Sequence, residues 1–453
     1  MAAEGGKDAE YTDRESVILS AVRFWAAVAG ILLAGCTIGG NAAPAGKPLG
    51  IAVDLPLTGN ESRAAIPALN GIRFFVQTHP TLDGFAIELV TADDAPAGGG
   101  FANPDRGAAN VERFIADSNV VAMIGPLDGA VARKEIPVAN AAGLAMVSPA
   151  TSNPCLTRDV YMPSLLNPAR TAVTCKAAGL PPAADLRPAH ANNFFRLATT
   201  DELQGAAAAD FAFDKLHVLR AAVITDHELY GQGLAGAFHA RLLTRGGTVL
   251  GHFDVETGTT DASPFLTRMK DAGAQAIYFG GASSVGCAIR AQMASVFATG
   301  EATPFLGGDG IAHDPDCIRA AGANSAGIYA TAPLVDAASR PGAALAIREF
   351  KAAFRRTSAF GPYTMPAYDA TAVVYAALNR AIIAAGGRLP SREAVRAELA
   401  RTIGLDGVTG ELGFDAAGDT TNRVVSIYEA PDADPKAPWR FVQAVDYSLR
   451  LPY

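Results

Sequence analysis

The strongest chemical signature in the chain is Gly231-Gln232-Gly233-Leu234-Ala235-Gly236, a literal G-x-G-x-x-G that opens a predicted helix after a predicted strand. Asp254 follows at a distance suited to a ribose contact. A dinucleotide fingerprint, however, needs its first glycine almost directly after the strand, so that the turn closes on the pyrophosphate. Here Asp226, His227, Glu228, Leu229 and Tyr230 intervene, and two of them are carboxylates that repel phosphate. Hydrolysis has no better support: there is no G-x-S-x-G, and Ser283-Ser284 after Gly280-Gly281 approaches one only loosely. The seven histidines contain no H-E-x-x-H and no pair at metal spacing. Asp93-Asp94 reads as a solvated loop at a strand end. Asp314 and Asp316 beside His313 read as a helix N-terminus rather than a metal site. No enzyme activity, cofactor or metal is expected.

What the residues do form is a set of small, hydroxylated and acidic loops. They are Asp54-Leu55-Pro56-Leu57-Thr58-Gly59, Gly125-Pro126-Leu127-Asp128-Gly129, Ser148-Pro149-Ala150-Thr151-Ser152, Asp226 to Tyr230, Gly280 to Ser284 and Gly308-Asp309-Gly310. Each follows a short apolar run that reads as a strand. In open α/β sheets ligands sit outside the carboxyl ends of the strands. Such groups build a polar pocket; they do not make a charge relay.

The elements that must position these loops alternate with a steady rhythm. Short continuous apolar runs, each followed by an amphipathic stretch, predict parallel sheets covered on both faces. The fold class is therefore α/β, doubly wound. About ten such strands exceed what one compact open sheet usually holds, so two lobes are expected. After residue 332 the pattern turns helix-rich and closes on two strands. The proline-rich stretch 153–193 breaks the rhythm and reads as a surface insertion.

Composition agrees with a large folded core: of 453 residues, 49% are apolar and 18% charged. The net charge is −8, of which −2 lies in residues 1–35, leaving −6. Nucleic acid is excluded as a partner, because its binding rests on Lys and Arg neutralising phosphates.

Phe24 to Gly35 is an unbroken apolar run of twelve residues, too short to span a bilayer but suited to a signal-peptide core. It ends in Leu33-Ala34-Gly35-Cys36, which resembles the lipobox of bacterial lipoproteins. The expectation is a signal peptide over 1–35, a diacylglycerol on Cys36 and a tether over 36–47, holding the protein on the extracytoplasmic face of the membrane. Residues 1–16 are acidic on balance, against the usual basic start, which points to a true start near Val17 or Leu19. Export permits disulfides. With Cys36 lipidated, four cysteines allow three pairings; the nearest-neighbour scheme, Cys155–Cys175 and Cys287–Cys317, is favoured, and free thiols are the alternative.

At its strand ends the sequence resembles the periplasmic binding proteins of the leucine/isoleucine/valine-binding family, type I fold. The likeness is carried in order by GIAVDLPLTG (50–59), ELVTADD (88–94), VVAMIGP (120–126), MVSPATSNPCLT (146–157), NFFRLATTDELQG (193–205), TDHELYGQGLAG (225–236), AIYFGG (276–281), PFLGGDGI (304–311) and GPYTMPAYDATAVVYAAL (361–378). The resemblance implies two lobes joined by three hinge crossovers, with lobe one over 47–198 and 333–414 and lobe two over 199–332 and 415–453. It implies an ABC importer as partner, whose permease receives a loaded, closed form, and a small amino-acid-like solute as ligand. A sensor that signals to a partner protein is the alternative.

Carried over residue by residue, Ala150 and Ser152 fall where the family binds the ligand's carboxylate and amine, and Thr151 between them is expected in the same ligand-binding set. Tyr230 matches a cleft aromatic, and Asp309 matches the acid that pairs with the ammonium. Two departures stand out. Asp128-Gly129-Ala130 replaces a serine-rich turn, and Ala282-Ser283 replaces a second cleft tyrosine. Both put a plain aliphatic amino acid in doubt.

Overall fold

The computed structural model describes residues 48–452 except 60, 99, 165–170, 256–260, 298–302, 323–324, 356–358, 433 and 450. The expected signal peptide, Cys36 and the tether lie outside the described residues.

The first sheet begins with β1 (Leu49–Leu55), buried at every residue. After α1 (Ser62–Thr78) come β2 (Thr81–Leu82), β3 (Phe85–Asp93), α2 (Pro104–Ala116), β4 (Val120–Ile124), α3 (Gly129–Ala141) and β5 (Ala145–Ser148). A small hairpin of β6 (Val160–Met162) and β7 (Val173–Thr174) precedes β8 (Phe194–Arg196). The strand order is β2-β3-β1-β4-β5-β8, and every pairing except β2–β3 is parallel.

Side-chain alternation along β1 decides the layers. Ile51, Val53 and Leu55 face Ala68, Leu69 and Ile72 of α1, whose spacing makes one apolar stripe. Ala52 points the other way, with Met123 and Met146, onto Val111 and Phe114 of α2 and Ile136 of α3. Each such buried Val, Ile, Leu, Met or Phe side chain contributes roughly 1.5–3 kcal/mol. Helix α2 starts where Asn103 accepts from Arg106 N–H and Pro104 occupies the first turn.

The second sheet follows α4 (Asp201–Asp214). Its strands and helices are β9 (Arg220–Thr225), α5 (Leu229–Thr244), β10 (Thr248–Asp254), α6 (Ser263–Asp271), β11 (Ala276–Gly280), α7 (Ser283–Val296), β12 (Phe305–Gly307), α8 (Pro315–Ala321) and β13 (Ile328–Ala332). Helices α9 (Ala344–Ala353), α10 (Thr364–Ala384) and α11 (Arg392–Leu399) then return to the first sheet, with Val373 and Leu378 of α10 packed in its core. A β14 (Leu405–Gly407) and β15 (Gly410–Leu412) hairpin leads back to β16 (Val424–Glu429) and β17 (Arg440–Asp446). The order is β10-β9-β11-β12-β13-β16-β17, parallel through β13 and antiparallel over the last two strands. The chain thus passes between the sheets three times. The passages are tied together by Thr199 N–H to Pro333 O (2.8 Å) and Arg196 N–H to Gly418 O (3.0 Å).

The segment 153–193, expected as a surface insertion pinned by Cys155–Cys175, also buries several of its side chains against the second lobe's helices. Cys155, Met162, Cys175 and Leu180 are buried. Met162 packs with Ala206 of α4 and Ala237 and Ala240 of α5, and the Tyr161 hydroxyl donates to Leu229 O at 2.8 Å. Apolar residues scattered at irregular spacing carry no periodic signal, so their common burial was hidden. Cys155 and Cys175 form one disulfide (Cα–Cα 5.6 Å), and Cys287 and Cys317 a second (4.5 Å).

The packing also accounts for the G-x-G-x-x-G. A Cβ on Gly231 would stand 2.4 Å from Gly280 O, and one on Gly233 2.9 Å from the Tyr161 hydroxyl oxygen. These glycines admit neighbouring chain, not phosphate.

Candidate ligand-binding cleft

The two lobes meet through loops at the carboxyl ends of their parallel strands. Tyr363, one residue before α10 in lobe one, donates its hydroxyl to Asp309 Oδ2 in lobe two at 2.7 Å. On the same side Arg63 of α1 reaches Asp316 Oδ2 at 2.5 Å and Asp314 Oδ1 at 3.6 Å. Asp314 caps α8 by accepting from Asp316 N–H. Among the described residues no group of ligating side chains fits a metal ion.

Asp309 sits after β12 between two glycines. A Cβ on Gly308 would lie 2.4 Å from Leu234 Cδ1, and one on Gly310 2.4 Å from Gly281 O, so only glycines let the loop settle onto α5 and β11. The Asp309 Oδ1 atom accepts from the Tyr230 hydroxyl (2.5 Å) and from Gln204 Nε2 (2.9 Å). Burial, then the charge of Asp309, holds both Tyr230 and Tyr363 far above the usual phenol range. These hydroxyls stay protonated and donate.

Asp201, the first residue of α4, was missed by sequence reasoning. It lies at the first passage between the lobes, and its N–H donates to Ser152 O at 3.0 Å. The residue is 3% exposed, and its Oδ1 has no hydrogen-bond partner among the described residues. Burial pushes its carboxyl up to about 7, opposed by a hydrogen bond from Ser152 and reinforced by the charge of Asp309. The available signal was an aspartate opening a helix directly after the last strand of lobe one.

A family model described as Periplasmic binding protein matches residues 48–435. The chain belongs to the periplasmic binding protein family. It is 28% identical over 397 residues to Leu/Ile/Val-binding protein homolog 3 of Brucella melitensis, spanning 87% of this chain and 94% of that one. A leucine binding protein, LivK, from Thermotoga maritima superposes with a TM-score of 0.67 at 25% identity, covering 88% of this chain and 98% of that one. A solute binding protein from Rhodopseudomonas palustris in complex with p-hydroxybenzoic acid shares the fold, with a TM-score of 0.69 at 16% identity and coverage of 88% and 97%. Both lobes of this periplasmic binding protein are of the type I α/β kind.

Within that frame the structure brings Ser152, Tyr230 and Asp309 together with Asp201, Gln204 and Tyr363. The remaining expected residues are placed as follows. Ala150 and Thr151 N–H both point at Ser148 Oγ (3.2 and 3.0 Å), and the Thr151 hydroxyl donates to the same oxygen at 2.9 Å. They hold the turn that presents Ser152. Asp128 Oδ1 accepts from Ala130 N–H (2.7 Å) and Val131 N–H (2.9 Å), capping α3, whose first residue is Gly129. Ala282 N–H donates to Asp226 Oδ2 (2.9 Å), and Ser283 opens α7.

Lobe one also holds a buried cluster of carboxylates. Asp94, fully buried after β3, has neither side-chain oxygen hydrogen-bonded among the described residues. Burial, with Asp54, Glu61, Asp128 and Asp93 adding their charge, pushes it up to about 8. Burial also raises Asp54, to about 6, and raises Glu135 far above its usual range; the two face each other, so one holds a proton for the other. Glu61 Oε2 accepts from Ala102 N–H at 2.7 Å.

Proposed function

We propose that this periplasmic binding protein captures a small polar solute between its lobes, closing on it, and delivers it to the permease of an ABC importer from a lipid anchor at Cys36. The observation that supports this most is the Tyr363–Asp309 hydrogen bond, because it joins the two lobes at the carboxylate expected to pair with a ligand amine. Ligand contacts made only across that junction favour the closed form, since a ligand shifts an equilibrium only by binding one state better. The hinge reading rests on three passages lying side by side, and the lobe boundaries 47–198 with 333–414 and 199–332 with 415–453 belong to it. The ligand-facing set on this reading is Ser152, Asp201, Tyr230, Asp309 and Tyr363, with Asp128 to Ala130 and Ala282-Ser283 at the ends of the cleft. A tethered receptor beside a permease favours delivery over sensing.

The fold alone does not select the solute, since it holds p-hydroxybenzoic acid in a distant neighbour. The decisive experiment is thermal-shift screening against amino acids, amides and small carboxylates. A specific binder raises stability by RT ln(1 + [L]/Kd), about 2.7 kcal/mol at 100 Kd. A hit whose binding is untouched by Asp309→Asn and Tyr230→Ala would remove the cleft from consideration. Cys36→Ala should leave an unprocessed precursor, and a mature N-terminus elsewhere counts against the anchor.

A further inference from the structure

Two glycines of the G-x-G-x-x-G, Gly233 and Gly236, face a hairpin that lobe one sends across to α5. A Cβ on Gly233 would stand 2.9 Å from the Tyr161 hydroxyl oxygen, and one on Gly236 3.1 Å from Met162 Cε. Both neighbours belong to β6, the first strand of the β6–β7 hairpin. A helix of lobe two is thus bare of side chains where a piece of lobe one lies on it.

The roots of this hairpin are held in lobe one. Leu156 and Leu186 pack there with Val120 and Ile136, and Arg187 donates to Leu156 O at 2.8 Å and Ala183 O at 2.7 Å. Where the first limb leaves, Arg158 reaches Asp419 Oδ2 at 2.6 Å and Glu202 Oε1 at 3.5 Å, on the third and first passages. The hairpin itself is seated on lobe two. Met162 is 6% exposed and packs on Ala206, Ala237 and Ala240, whose small side chains leave room for it. The Tyr161 hydroxyl donates to Leu229 O, and Leu229 immediately precedes Tyr230. Leu229 also packs against Cys155, Cys175 and Leu180. A two-stranded hairpin is marginal in water by itself. Here the disulfide and the seat on α5 hold it in shape.

We infer that this hairpin is an interlobe strap, seated on the glycine face of α5, that restrains the opening of the lobes. The inference goes beyond solute capture but rests on that reading, because it presupposes lobes that move. The seat is on the helix that carries Tyr230. A rotation that widens the cleft must therefore pull Met162 from among its alanines or bend the strap at Arg158. Either loses contacts that the seated form alone makes, and an equilibrium shifts by that difference. The strap keeps the unliganded cleft near its closed geometry.

The test is the interlobe distance in the unliganded full-length chain in detergent, measured by pulsed electron spin resonance. Spin labels are attached to a keto-bearing amino acid at Arg73 of α1 and at Thr267 of α6, both exposed, which spares the cysteines. Met162→Ala and Gly233→Ala should each broaden the distance and lengthen its mean by more than about 2 Å. Alanine is the better helix former, so a glycine serving α5 alone predicts no loss of stability and an unchanged distance. In a Tyr161→Phe background Gly233→Ala should add nothing further, because the next ring atoms stand 3.4 and 3.6 Å away. Should Met162→Ala fail to fold, Gly233→Ala with and without Tyr161→Phe carries the test. If the parent distance is already broad and no variant shifts it, the strap is overturned and capture by closure survives. If parent and variants share one narrow distance, the lobes do not move and both readings fall.

Discussion

Arg196 Nε lies 2.7 Å from Asp419 Oδ1, a buried ion pair that ties the end of β8 to the third passage between the lobes. The guanidinium is wholly buried and also reaches Asn153 O (2.6 Å) and the Thr157 hydroxyl (2.6 Å). Arg158 adds a second cation, 2.6 Å from Asp419 Oδ2. Against burial, these two arginines hold the Asp419 carboxyl below its usual range. The passages are therefore clamped by charge as well as by backbone.

Removing one partner leaves the other buried and uncompensated. Asp419→Ala should lower unfolding stability by about 3–5 kcal/mol, read from urea denaturation. A loss under about 1 kcal/mol would mean that water reaches the passage and satisfies Arg196.

The raised carboxyls predict an unusual pH profile. Asp54, Asp94 and Asp201 stand at about 6, 8 and 7, and Glu135 is raised too. The folded state thus binds more protons than the unfolded chain above about pH 4. Their contribution is fully present below that pH and is lost as pH rises towards 8. Asp419 has the opposite sign, its contribution disappearing in acid. The urea midpoint of the unliganded protein should fall between pH 5 and pH 8, and Asp94→Asn should flatten the upper part of that fall. A midpoint that rises over this interval would contradict the burial of these groups.

Much of the fold was legible because its elements are strongly periodic. Val120–Ile124 and Ala276–Gly280 are continuous apolar runs bounded by polar turns, and α1 carries its stripe at helical spacing. The antiparallel return of β16 and β17 was not legible, since direction is fixed by which edge of β13 stays open, a tertiary fact. The candidate site stood out in the sequence where a loop had an odd composition, as at Gly308-Asp309-Gly310. Tyr363 was not legible, because its bond to Asp309 depends on a second lobe's loop that no local pattern encodes, and Asp201 offered only its place at a helix start.

The hairpin of β6 and β7 offers a test of the disulfide. Cys155 and Cys175 close a loop of sequence separation 20 that delivers Tyr161 and Met162 onto α5, the helix bearing Tyr230. Closing a loop of that size is worth about 3 kcal/mol. Replacing both cysteines by serine should lower stability by about that much and raise protease sensitivity between residues 157 and 180. Non-reducing peptide maps should link Cys155 to Cys175 and Cys287 to Cys317; any exchange between the pairs would refute the arrangement.

The interlobe hydrogen bond isolates the cost of closure. Tyr363→Phe removes one hydroxyl from Asp309 Oδ2 and leaves the ring. Tyr363 is half-buried with its ring packed against the core of the first sheet, so the variant keeps that packing and removes only the bond to Asp309. Unliganded stability should change by less than about 0.5 kcal/mol. Affinity for the solute should fall by about 1.5–3 kcal/mol, the scale of a hydrogen bond to a charged group. Tyr230→Phe provides the contrast, because its hydroxyl serves Asp309 and Gly310 N–H within a single lobe. That variant should lose stability and affinity together. If Tyr363→Phe instead destabilised the unliganded protein as much as Tyr230→Phe does, the two lobes would be one rigid body, and capture would not proceed by closure.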